Sequence, residues 1–218
     1  MTAPTAGERR QDGAWRRFLS VLGTSAVSVL AFFLITGEPP YCSLSLLLGI
    51  CLHEAGHLFA LFLCGQRVKA SGRLFPLGLT LSPSGRLCSY REELFIALAG
   101  AGTNLFCVPA AFLLLRARPQ SDFLFCFLLF SLGLALFNLL PLPALDGAAA
   151  LSACLSLAGL LPDTVWRVAA AAETAASFLF TFLAAALAAA GKTGVYPLFL
   201  SLFFLSRSLS AIPGGDGG

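Results

Sequence analysis

Charge is scarce in this chain. Asp, Glu, Lys and Arg make up 11% of its 218 residues, while 57% are hydrophobic. An ordinary soluble domain carries roughly 25% charged residues. A soluble fold of this length has too little interior to hide so much apolar surface, so the composition points to an integral membrane protein. A basic stripe is also missing: the net charge is +3 and the cations are scattered, which gives no reason to expect nucleic acid. There is no Cys-x-x-Cys. The seven cysteines (Cys42, Cys51, Cys64, Cys88, Cys107, Cys126 and Cys154) are odd in number and lie mostly inside apolar runs. They read as small, reduced, buried side chains rather than as a disulfide framework or a thiolate metal site. Histidine is nearly absent, with two in the whole chain, and no internal repeat is visible.

What is present is a series of apolar runs. Residues 1–17 are polar and form an expected cytoplasmic tail, with Arg9, Arg10, Arg16 and Arg17 ahead of an apolar stretch over 18–36. That stretch is long for a signal peptide and no A-x-A cleavage pattern follows it, so it reads as an uncleaved first span. Glu38-Pro39-Pro40 ends it, and a second run covers about 41–64. Residues 65–91 break the pattern with four glycines, Pro76, Pro83 and five Lys/Arg. This is a loop with short extended segments, for which a small β-hairpin over 66–89 is one form.

The third span is expected at about 93–115, with Glu92 and Glu93 capping it, and the fourth at about 122–140, stopped by Pro141-Leu142-Pro143. The apolar segment 148–160 is too short to cross a bilayer and reads as a short helix in or beside the membrane. A fifth span at about 165–190 and a short sixth at about 195–209 complete an all-α membrane bundle of about six helices. The domain organisation is one membrane-embedded unit over 18–209, with a flexible tail over 210–218. Trp15 and Trp166 read as interface anchors.

With the N-terminus inside, eleven Lys/Arg fall on the inner side and three (Arg116, Arg118 and Lys192) on the outer. The positive-inside rule therefore predicts both termini and the loop 65–91 to be cytoplasmic.

The chemistry is concentrated in His53-Glu54-Ala55-Gly56-His57. Residues four apart on a helix share a face one turn apart, so both imidazoles can reach one metal. The intervening Glu54 is positioned to take a proton from water at that metal. Zinc suits imidazole, leaves a coordination position open and brings the pKa of bound water near neutrality. The ordinary reading is two helix histidines and a surface glutamate. Against it, chance placement of the only two His with this spacing and a Glu after the first comes to roughly one in 4,000. The motif also lies within an apolar span, where ionisable groups are costly and mark function.

Catalytic zinc sites usually hold three protein ligands, and there is no third His. Asp122, Asp163 and Glu173 lie near expected span ends. Asp146 follows the proline-broken segment Asn138-Leu-Leu-Pro-Leu-Pro-Ala-Leu-Asp146-Gly147, whose freed backbone can line a polar cavity at membrane depth. Taken alone, Asp146-Gly147 would be an ordinary turn.

The combination of H-E-x-x-H with N-x-x-P-x-P-x-L-D-G resembles the site-2 protease family of intramembrane zinc metalloproteases. Asn138, Pro141, Pro143, Leu145, Asp146 and Gly147 meet every fixed position of the second motif. A weaker pattern, A-G-P-x-x-N, is met by Ala99, Gly100 and Asn104, with Ala101 in place of proline. The resemblance covers about residues 41–150 and is similar to the sporulation branch without its regulatory CBS domain. It implies zinc on His53, His57 and Asp146, with Glu54 as base. It gives Asn138 contact with the substrate backbone or the oxyanion. It also implies cleavage in or near the transmembrane segment of a membrane-associated protein, and a bacterial cytoplasmic membrane is the expected location. On the expected topology His53 lies in the inner half of the second span and Asp146 follows the inner end of the fourth, so the active site faces the cytoplasm. Two other readings compete. A metal transporter would need more His or acidic residues inside other spans. A catalytically inactive relative would have lost Glu54 or a ligand.

Overall fold

The computed structural model describes residues 37, 39–70, 81–84, 88–192 and 196–211. The expected first span over 18–36, the tail over 1–17 and residues 212–218 lie outside the described residues. Within them the order is α1 (Pro40–Leu63), β1 (Arg67–Ala70), β2 (Leu81–Ser84), α2 (Tyr90–Ala117), α3 (Asp122–Asn138), α4 (Asp146–Leu157), α5 (Pro162–Ala189) and α6 (Tyr196–Ala211). Helices α1, α2 and α5 are long and apolar enough to cross a membrane. Many of their large apolar side chains face outwards, among them Phe62, Phe106, Leu179 and Phe182. Outward apolar surface on this scale suits a lipid solvent better than water, so the helices support a membrane protein. Helices α3 and α6 have 17 and 16 residues, short of the roughly 20 that a straight crossing needs.

The helix ends follow local chemistry. Pro40 opens α1 at its first position, where a missing N–H costs nothing. The helix closes at Gly65, whose positive φ lets Gly65 N–H reach the Phe62 carbonyl and Gln66 N–H the Leu61 carbonyl. At the start of α2, Ser89 Oγ accepts from Glu92 N–H while Glu92 Oε2 accepts from Ser89 N–H, at 3.3 and 2.9 Å. This reciprocal cap is made by Ser89 and Glu92. β1 and β2 pair antiparallel, Arg67 opposite Ser84 and Ala70 opposite Leu81.

Helix α3 stops at Asn138, two residues before the expected end, because Leu140 precedes a proline and is pushed out of the helical region. Helix α4 starts at Asp146 rather than 148 and ends at Leu157 rather than 160. Ser210 and Ala211, expected in the flexible tail, belong to the last turn of α6.

The chain divides into two compact units. The first combines α1 and the strands with residues 99–136 of α2 and α3. In it the bare backbone at Gly49 meets Leu134 of α3, at 3.1 Å from an added Cβ to Cδ1, and Ser131 lies beside it, fully buried. The second unit holds residues 89–98 and everything from Phe137 on. Its core is an aromatic cluster of Phe137, Phe180 and Phe204 with ring centroids 6.1 to 6.3 Å apart. A hydroxyl pair, Thr174 Oγ1 and Ser208 Oγ at 2.6 Å, joins α5 to α6. Thr174 also donates to the Ala170 carbonyl at 2.7 Å, so its polarity is satisfied inside an apolar helix pair.

Candidate metal centre

Helix α1 carries both histidines on one face, one turn apart. His53 is buried, with 6% of its surface exposed, and His57 is partly buried. Their Nε2 atoms stand 3.2 Å apart, with the rings edge to face at 78°. Two nitrogens each about 2.0–2.1 Å from a tetrahedral ion would lie about 3.3–3.4 Å apart. The pair is therefore already close to the separation that one zinc ion demands.

The approach of α2 to this face depends on glycines. A Cβ built on Gly100 would run into His57 Nε2 and would lie 2.7 Å from both Cε1 and Nε2 of His53. Across the same seam, a Cβ on Gly56 would collide with Thr103 Oγ1 and stand 2.6 Å from the Ala99 carbonyl oxygen. That hydroxyl is tied to the same carbonyl at 2.9 Å, so it is held in place. Small residues let two helix backbones come this close in an apolar medium. One turn beyond Gly100, Asn104 is fully buried, and neither its amide nitrogen nor its oxygen has a hydrogen-bond partner. Burying such a group costs about 1–3 kcal/mol by mutational scales.

Asp146 is the first residue of α4. The loop before it holds Ala144 at φ 70°, the one non-glycine residue with positive φ among the described residues. Gly147 then packs against the Leu139 and Leu140 carbonyl oxygens, leaving no room for a Cβ. The Asp-Gly pair is thus the start of a helix clamped on the preceding loop, not a free turn. A carboxylate in a helix's first turn also meets the positive end of the helix dipole.

His53 and His57 belong to the first unit and Asp146 to the second. Of the other carboxylates considered, Asp122 and Asp163 are exposed at the first turns of α3 and α5, and Glu173 lies along α5. Two imidazoles and a carboxylate are a donor set that suits zinc. Glu54 adjoins His53 on α1 and is partly buried, and Asn138 ends α3, also partly buried. The sequence alone suggested no role for Gly56. A small residue facing the same seam as Gly100 is the signal that would have found it.

The fold is similar to that of the site-2 protease from Methanocaldococcus jannaschii, with a TM-score of 0.57 and 20% identity over 88% of each chain. At that identity the likeness is one of fold. No family model matches the chain, and no curated protein sequence matches it.

Proposed function

We propose that this chain is an intramembrane zinc metalloendopeptidase of the site-2 protease type. The observation that carries the reading is the His53–His57 pair, held 3.2 Å apart at Nε2 in a fold similar to that of a site-2 protease; the motif around Asp146 offers the third ligand.

His53 and His57 would hold zinc through Nε2, and Asp146 through a carboxylate oxygen whose charge offsets the cation at low dielectric. Zinc bound there would supply a Lewis acid toward water and the scissile carbonyl. Glu54 takes the proton of the attacking water and returns it to the departing amide nitrogen, so one carboxylate serves as base and then as acid. Asn138 offers a side-chain amide to the substrate backbone or to the charge that develops on the carbonyl oxygen. Gly56 and Gly100 hold the two helix backbones together, so the imidazoles keep their spacing.

The substrate is a transmembrane or membrane-associated protein. A transmembrane helix hydrogen-bonds its own carbonyls, so the cut falls where glycine or another helix-weakening residue lets the segment unwind. In this reading the run over 18–36 and helices α3 and α6 join α1, α2 and α5 as six spans in a bacterial cytoplasmic membrane, with the site toward the cytoplasm.

The test is co-expression of single-span candidate substrates with the wild type and with Glu54→Gln. Cleavage should disappear in the variant while purified protein still carries zinc, because Glu54 is base and not ligand. Full activity of Glu54→Gln would overturn the mechanism.

A further inference from the structure

Two of the seven cysteines face each other. Cys42, in the first turn of α1, and Cys126, in the second turn of α3, bring their Sγ atoms to 3.3 Å. They are 84 residues apart in sequence, so chain proximity does not explain the meeting.

The pair also lies in register with the rest of the α1–α3 seam. Seven residues after Cys42, on the same face of α1, Gly49 meets Ser131 and Leu134. Those residues lie five and eight positions after Cys126. Both helices therefore run in the same direction along one continuous seam, and the thiols occupy its first contact. Both cysteines are partly exposed, and both sit close to a helix start rather than at mid-span. A disulfide needs its sulfurs at about 2.05 Å, which small side-chain rotations can supply from this starting point.

We infer that Cys42 and Cys126 form an oxidation site, closing to an intramolecular disulfide that staples α1 to α3. One thiolate attacks the disulfide of an oxidant, either a small disulfide or a dithiol oxidoreductase, and one thiol of that oxidant leaves. The second cysteine then attacks the mixed disulfide. Both S–H bonds are broken, one S–S bond forms, and two electrons and two protons pass to the oxidant, which becomes two thiols. The bond closes a loop that contains His53, His57 and Gly100. It also anchors the histidine-bearing helix three turns ahead of the imidazoles, too far away to alter the ligands themselves. This inference stands independently of the proteolytic reading.

The test uses the full chain, purified reduced in detergent and then exposed to oxidised glutathione. The number of alkylatable thiols should fall by two, and peptide mass spectrometry should find Cys42 joined to Cys126. Dithiothreitol should reverse the change. The thermal midpoint of the oxidised protein should rise by about 5 °C or more, since cross-linking a long loop restricts the unfolded chain. Cys42→Ser should abolish the cross-link, leaving Cys126 either as a thiol or joined to glutathione alone, and zinc content should be the same in both redox states. The wild-type mapping alone decides the question if a variant expresses poorly. Full alkylation of both thiols after oxidation, or linkage to other cysteines or to a second chain, would overturn the inference.

Discussion

Gly100 lies so near His53 that a β-carbon on it would stand 2.7 Å from the ring's Nε2. The backbone of α2 thus forms the wall behind the proposed ligands, and the smallest side chain is the one that fits there.

Gly100→Ala should therefore push both imidazoles off their spacing. Zinc content of the purified protein should drop at least several-fold, with activity falling alongside. Gly102, two residues on, has nothing within 4 Å of an added Cβ. Gly102→Ala should keep its zinc and gain up to about 1 kcal/mol of helix stability. Equal zinc occupancy in the two variants, measured by elemental analysis, would remove Gly100 from the site.

Asp146→Ala should lose zinc and activity together, because two imidazoles alone make an incomplete site. Glu173→Ala, on α5, should leave both nearly unchanged. Normal zinc stoichiometry in the Asp146 variant would rule out its role as third ligand.

Ala144 holds φ 70° in the loop before Asp146. A left-handed conformation costs a non-glycine residue about 1–2 kcal/mol, partly offset by the greater freedom of glycine when unfolded. Ala144→Gly should raise stability by about 0.5–1 kcal/mol, read as a higher thermal midpoint in detergent. Gly147→Ala should lower it by more than that gain, since a Cβ meets two carbonyl oxygens.

The charge bias predicts that the N-terminus and residues 65–91 face the cytoplasm. Single cysteines at Arg10 and Ser84 in a background lacking the native thiols should be shielded from a membrane-impermeant maleimide in sealed cells. Labelling from outside would invert the orientation and the depth expected for His53.

Much of the centre was legible in the linear sequence because it depends on local periodicity. Helical spacing alone puts His53 and His57 on one face with Glu54 beside them. Pro141 and Pro143 remove an N–H and restrict the residue before them, so the end of α3 could be read to within two residues. The scarcity of charge and the lengths of the apolar runs marked a membrane protein without reference to any contact. Other features were settled only by tertiary packing. Gly56 against Thr103, Gly100 against the two imidazoles and Cys42 against Cys126 join residues tens of positions apart, and although Gly56 and Gly100 lie within motifs, no local spacing says what each of them meets. Glycine and cysteine look alike along a sequence whether they fill an apolar run or meet another helix. Only the approach of two backbones, which depends on every side chain along the seam, separates one case from the other.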